Sequence, residues 1–488
     1  MARSVPLMTS ASDYSRRDLI FVATTLVIAY ASSALLLGLQ YEVPIWRDAP
    51  TYLERYDEKF RSEFRWLNYY FWPILKNVHP SIARILDASS YGLLLFAILR
   101  PVLKPRHLPE FALVMALFMT TSPLTEMILW PGQFLIANLV ALLTILALQG
   151  DGSDHYKVVV LFAGSILLLG SYQFNQLLLI LVPVLFLGKR DLNRKRFVSM
   201  TLLWIAAFGT GFAVSLGVTW LKFGAVTTSL SEFRVLNRSD SGIVTRIVYN
   251  IGSLSSSASE DLVDLLLLPD YYGLWASVPV IVLGIFGGLR LYRERTSPAL
   301  IYKFAWMIAP FAAMVFLLAA ANSRYVGRLA VGSFAPLVIL IFLTQGHSRR
   351  ARTIWISVVG LLWAAQASLG LQRVESLSQS INTSVNQLVE MTREAPIDPD
   401  AQVLIYDPQA ELAGQEFSKP RYAFFIARQA GYQQLIYCGA EGDPPRACRD
   451  LASARDTSEG ACPPDDSTIS VDIRQVVVFL EQPDWCGR

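Results

Sequence analysis

The chain has 488 residues, 53% of them hydrophobic and only 17% charged, with a mean hydropathy of +0.40, a balance that excludes an ordinary soluble protein. Its 42 basic and 39 acidic residues leave a net charge of +3, too little for the electrostatic footprint of a nucleic-acid-binding protein. The expected fold class is an α-helical polytopic membrane protein, with a small C-terminal extracytoplasmic α/β domain.

Residues 1–18 are polar and read as a cytoplasmic N-terminal segment. The apolar run Leu19–Leu39 that follows is long enough to cross a bilayer core. It reads as an uncleaved first helix, although Ala31-Ser-Ser-Ala34 offers a small-residue cleavage pattern.

Tyr41–Pro80 comes next, and it is far longer than a helix connection requires. It gathers acids (Asp48, Asp57, Glu63), bases (Arg47, Arg55, Arg61, Arg65) and interfacial aromatics (Trp46, Trp66, Tyr69, Tyr70, Trp72). A loop so crowded with reactive side chains is a candidate active-site loop.

Further apolar stretches fall near 82–103, 110–122, 131–150, 156–172, 174–188, 197–223, 272–292, 300–321, 326–345 and 353–372. With the first helix they make about eleven spans, so 19–372 reads as a transmembrane domain. Two are open: 110–122 is short, and 156–188 fits either a hairpin or one long broken helix. The small residues of 209–217 (GTGFAVSLG) read as a helix-packing surface.

Alternate loops carry the arginines and lysines: Arg16 and Arg17; Arg100, Lys104 and Arg106; Lys189 to Arg196; Arg290 to Arg295; Arg349 to Arg352. The positive-inside rule then puts the N-terminus in the cytoplasm and the C-terminus outside. The outside receives the loops 41–80 and 224–271, the turns 122–131, 171–176 and 321–328, and the tail from 373. The cytoplasmic loops are short and basic and leave no room for a nucleotide-binding domain.

The tail, 373–488, reads as a separate α/β domain: a helix over 374–394, strands at 402–406 and 434–438 around a helix RYAFFIARQAG, and one strand over 471–481. All four cysteines, Cys438, Cys448, Cys462 and Cys486, lie in it. Their spacing fits no zinc motif, so in an oxidising compartment they read as two disulfides with three possible pairings, against the alternative of a reduced structural set.

No phosphate-binding glycine loop, zinc-protease helix or nucleophile elbow occurs, and the four histidines are scattered singly. No cofactor is expected, and a divalent metal is left open. Asp48, flanked by Trp46 and Pro50 beyond the first span, is placed to accept a proton from a hydroxyl at the membrane surface; a solvated loop charge is the bland alternative. Glu126, between Pro123 and Pro131, is a lone acid at membrane depth, where an ionisable group is a functional candidate. Tyr172, Gln173, Asn175 and Gln176 interrupt an apolar stretch and read either as a sugar site or as interhelical hydrogen-bonding residues. Arg324 and Arg328 share a helix face and, with Arg65, could grip a phosphate through paired donors or anchor to lipid head groups.

The segments FRWLNYY (Phe64–Tyr70), SPLTEMILW (Ser122–Trp130), LLGSYQF (Leu168–Phe174) and SRYVGR (Ser323–Arg328) together resemble the polytopic glucosyltransferases that modify bacterial O-antigen, the Gtr type-two family within the GT-C class. That family usually carries a pair of acids and then a glycine before the arginine. Here Arg47 stands beside Asp48, Phe64 replaces the glycine before Arg65, and Asp57 is a substitute acid.

The resemblance implies a glycosyltransferase in the bacterial inner membrane. It would move a sugar from a polyprenyl-phosphate donor to a glycan acceptor, such as O-antigen or another cell-envelope polysaccharide, on the extracytoplasmic side. The expected site has Asp48, Glu126 and Asp57 as catalytic carboxylates, Arg65, Arg324 and Arg328 on the donor phosphate, and Trp66, Gln133, Tyr172 and Gln173 at the sugar or acceptor. The alternatives are a polyprenyl-linked glycan polymerase or ligase, a lipid-linked sugar flippase or transporter, and an exported binding module on a membrane anchor.

Overall fold

The computed structural model describes residues 16–38, 60–75 except 62, 80–103, 108–119, 134–150, 152–180, 194–224, 242–267, 312–320, 349–393, 402–407, 434–439, 469–472 and 475–479, with isolated positions between them. These residues are mostly helical. In chain order they form α1 (Arg16–Gly38), α2 (Trp66–Leu75), α3 (Pro80–Leu103), α4 (Leu108–Met119), α5 (Leu135–Gln149), α6 (Asp154–Leu169), α7 (Gln173–Gln176), a 3-10 turn (Leu177–Ile180), α8 (Arg194–Phe223), α9 (Ile243–Leu267) and α10 (Arg349–Met391). Four strands follow, β1 (Gln402–Asp407), β2 (Gln434–Gly439), β3 (Ile469–Asp472) and β4 (Gln475–Phe479).

The chain divides into two compact units, residues 1–35 with 55–370, and residues 36–54 with 371–488. In the first unit, Val198–Phe223 of α8 and Arg350–Leu369 of α10 are long and apolar enough to cross a membrane. Shorter apolar helices are Leu19–Ser32, Leu108–Leu117 and Leu135–Gln149.

Packing in this unit follows side-chain size. On α6, a Cβ added at Gly164 would come within 2.4 Å of the Thr144 methyl of α5, and on α8 one added at Gly211 would come within 2.9 Å of the Ser165 carbonyl oxygen. A side chain at Gly164 would collide with Thr144, and only glycine at 211 lets the two backbones approach so closely. The neighbouring Gly209 and Gly217 differ: among the described residues a Cβ at either meets nothing within 4 Å, so of these three glycines Gly211 makes the close contact. Phe111 of α4 is buried edge-on against Phe21 of α1 at 4.7 Å and against Phe96 of α3 at 5.7 Å. Arg352 of α10 pairs with Glu110 of α4 at 3.0 Å, joining two helix ends that the charge rule assigns to the same side.

Several boundaries depart from expectation for identifiable reasons. Ser153 caps α6 by accepting the Tyr156 N–H, so the helix begins at Asp154. It ends at Leu169 with Gly170 as its cap, and the polar residues that follow form the short α7. The long 41–80 loop contains α2, and the 224–271 loop contains α9, an amphipathic helix whose apolar spacing was not recognised in the sequence. The expected span 353–372 and the tail helix 374–394 are one 43-residue helix, α10. No proline interrupts that stretch, and Gly370 alone costs only about 1 kcal/mol.

In the second unit the strands form a mixed sheet in the order β2-β1-β4-β3. β1 runs parallel to both β2 and β4, with Val403 opposite Leu435 on one side and Val476 on the other. Consecutive Val403, Leu404 and Ile405 are all buried, as a strand covered on both faces requires. The single strand expected at 471–481 is instead an antiparallel pair, Asp472 of β3 lying opposite Gln475 of β4. Gly431, at φ +93°, closes the turn before β2, where the Tyr432 N–H reaches back to the Ala427 carbonyl at 2.9 Å.

Candidate active site

Two segments more than 100 residues apart in sequence meet in the first unit: Glu63–Leu67, entering α2, and Gly170–Gln173, leaving α6. The Leu67 N–H donates to the Gly170 carbonyl at 2.7 Å, and the Gln173 side-chain amide donates to the Glu63 carbonyl. Between these ties the Arg65 guanidinium lies over the Tyr172 ring, 4.9 Å from its centroid. Tyr172 in turn packs edge-on against Phe134, just before α5, at 4.9 Å.

Arg65 is 8% exposed, and its Nη2 pairs with the Glu63 carboxylate at 2.7 Å. Such a position is costly for a charge unless it is paired, and the Glu63 carboxylate and the Tyr172 ring both stabilise it. The segment carries a further peculiarity: Phe64 has φ +58°, in the left-handed region that disfavours side chains. This is the position where the resemblance leads one to expect glycine. The Phe64 ring is held edge-on against Phe212 of α8 at 5.9 Å.

Trp66 is half-buried beside this pair. Its indole N–H donates to the Ser215 hydroxyl of α8 at 3.2 Å, and its ring passes so close to Gly170 that a Cβ there would lie 2.3 Å from it. The far end of α8 also grips the segment. Lys222 Nζ stands 3.4 Å from the Tyr69 ring centroid and 5.4 Å from that of Phe60, while Arg61 lies 5.5 Å from the Phe223 ring.

Beneath Phe134 and Tyr172 runs a row of buried polar side chains. The Asn175 amide of α7 donates to Asn138 Oδ1 of α5 at 3.0 Å, the Asn138 amide donates to the Ser90 hydroxyl of α3 at 3.3 Å, and Ser90 donates to the Asp87 carbonyl at 2.8 Å. The Asp87 carboxylate, 1% exposed, accepts the Gly132 N–H at 2.6 Å. Gln176, fully buried, donates to Ser165 of α6 at 3.3 Å.

Of the sequence candidates, Arg65, Trp66, Tyr172 and Gln173 are thus brought together. Asp48, Asp57, Glu126, Gln133, Arg324 and Arg328 lie outside the described residues. In the second unit, Cys438 is buried and disulfide-bonded, while Cys448, Cys462 and Cys486 lie outside the described residues. Among the described residues no cluster of three His, Cys, Asp or Glu side chains could hold a metal ion.

Sequence reasoning passed over Glu63 as the partner of Arg65, and it missed Asp87 and Asn138. The last two had a usable signal, since each is a polar residue inside an otherwise apolar stretch. The cluster thus gathers a fixed, carboxylate-paired cation and a half-buried indole, with Tyr172 and Gln173 holding the segment in place. No family model, curated protein or solved structure matches the chain.

Proposed function

We propose that this chain is a membrane-embedded glycosyltransferase that takes a sugar from a polyprenyl-phosphate donor and adds it to a glycan of the cell envelope on the extracytoplasmic side. The observation that carries the reading is the convergence of Arg65 and Trp66 with Tyr172 and Gln173. These residues belong to two motifs of the resemblance, and both motifs lie on the side that the charge rule makes external.

A lipid-linked donor keeps its phosphate at the membrane surface and its tail in the bilayer, so its enzyme needs cations and a carboxylate facing outward and no nucleotide-binding domain. In the proposed step the acceptor hydroxyl attacks the anomeric carbon. The bond from that carbon to the phosphate oxygen breaks, polyprenyl phosphate leaves with the electron pair, and Asp48 takes the hydroxyl proton. Arg65, with Arg324 and Arg328, stabilises the charge growing on the phosphate. Trp66 offers its half-buried indole to the sugar.

One observation favours a second reading. The row from Asp87 through Ser90 and Asn138 to Asn175 is buried between apolar helices, as along the path of a transporter for lipid-linked sugars.

The deciding experiment gives purified protein in lipid nanodiscs a labelled polyprenyl-phosphate glucose and an envelope-glycan extract. Transfer of label with release of polyprenyl phosphate is expected, and Asp48→Asn should slow it by about 100-fold. No release, together with accelerated movement of the lipid across liposomes, would replace the transferase with the flippase.

A further inference from the structure

The buried carboxylate of Asp87 touches none of the groups assigned to the reaction, yet it holds one end of a short mechanical chain that reaches Arg65. Asp87 lies in α3, and its Oδ2 accepts the Gly132 N–H at 2.6 Å in the turn just before α5. Gly132 sits at φ +82°, a conformation that a side chain resists, and a Cβ there would lie 3.8 Å from Ala83, an ordinary contact. Backbone conformation, not crowding, therefore makes Gly132 sensitive to substitution. Two residues on, Phe134 meets the Tyr172 ring at 4.9 Å, and Arg65 lies over that ring at 4.9 Å.

We propose that Asp87 is a positioning residue: by holding Gly132 it sets Phe134, which sets the Tyr172 ring and so the place of the Arg65 guanidinium. A carboxylate inside an apolar helix is expensive unless it finds a donor, and this one accepts the Gly132 N–H in the turn that leads into α5. Asp87 thereby ties α3 to the turn that leads into α5. Only the last step, from Arg65 to a lipid phosphate, rests on the glycosyltransferase reading.

The test labels the full chain with fluorotyrosine and follows the Tyr172 resonance by fluorine NMR in nanodiscs, assigned by its loss in Tyr172→Phe. Asp87→Leu removes the acceptor, and Gly132→Ala disturbs the held backbone while leaving the carboxylate. Both should move the Tyr172 resonance and leave those of remote tyrosines in place, a signature that general destabilisation does not give. Asp87→Asn keeps an acceptor oxygen and should restore the wild-type position. An unmoved resonance in both Asp87→Leu and Gly132→Ala overturns the proposal, as does Asp87→Asn behaving like Asp87→Leu.

Polyprenyl phosphate is then titrated as the probe. The midpoint of its effect on Tyr172 should rise about 10-fold in Asp87→Leu, the scale of losing one desolvated cation–π placement. If the wild-type resonance ignores polyprenyl phosphate, the donor reading fails while the shifts in the unliganded protein still uphold Asp87 as the residue that positions Tyr172.

Discussion

Arg65 lies over Tyr172 with its guanidinium carbon 4.9 Å from the ring centroid, and the two residues come from segments that share no local sequence logic. With Arg65 8% and Tyr172 3% exposed, the contact is nearly dry, the condition in which a cation–π pair is strongest. A double-mutant cycle of Arg65→Met and Tyr172→Leu, read by thermal melting in detergent, should give a coupling of about 2 kcal/mol. Additive single effects would show that the two stand near one another without interacting.

Gly170 should tolerate no side chain. Alanine there would drive its Cβ into the Trp66 indole, and the ring can yield only by leaving Ser215. Gly170→Ala should cost about 1–3 kcal/mol by overpacking. Ser215→Ala, which removes the hydroxyl acceptor without crowding, should cost less, so equal losses in the two variants would contradict this account.

Phe64 presents a backbone penalty offset by a ring contact. Replacing it with glycine relieves the left-handed strain of about 1–3 kcal/mol but forfeits the packing on Phe212, so Phe64→Gly should change stability by less than about 1 kcal/mol. Phe64→Val keeps the strain, adds a branched Cβ and loses the ring, and it should melt markedly lower. A valine variant as stable as the glycine variant would refute the strain.

Cys438 is disulfide-bonded, so Cys438→Ser should strand its former partner as a free thiol that an alkylating reagent labels in the unreduced protein. Mass mapping of that label names the partner among Cys448, Cys462 and Cys486. The C-terminal unit should also lose about 2–4 kcal/mol of stability, and the wild type should lose as much under reductant. No newly labelled cysteine in the variant would count against the bond.

The helical character of the chain was legible because apolar runs bounded by basic loops leave few alternatives. The start of α6 was nearly legible too, because the Ser153 cap is written locally. What escaped were features decided by absent or weak signals. The expected break near residue 373 rested on a change from apolar to polar composition, but composition does not stop a helix, and no proline stands in α10 to do so. α9 is hard to read from sequence because three consecutive serines blur its periodicity. In the candidate site, Arg65, Trp66, Tyr172 and Gln173 could each be singled out by chemistry, yet nothing local says that Arg65 rests on Tyr172 or pairs with Glu63.

The sequence by itself determined the predominance of helix in the first unit, the gathering of all four cysteines in the tail and the charged, aromatic-rich character of the segment around Arg65, since each follows from composition or from neighbours along the chain. Only the tertiary structure decided that Gly170 must be bare because Trp66 crosses it, that Phe64 takes a glycine's conformation, and that Asp87 holds the Gly132 backbone 45 residues away. These depend on which backbones approach across the fold. That is set by the packing of α3, α5, α6 and α8 together, and no stretch of neighbouring residues encodes it.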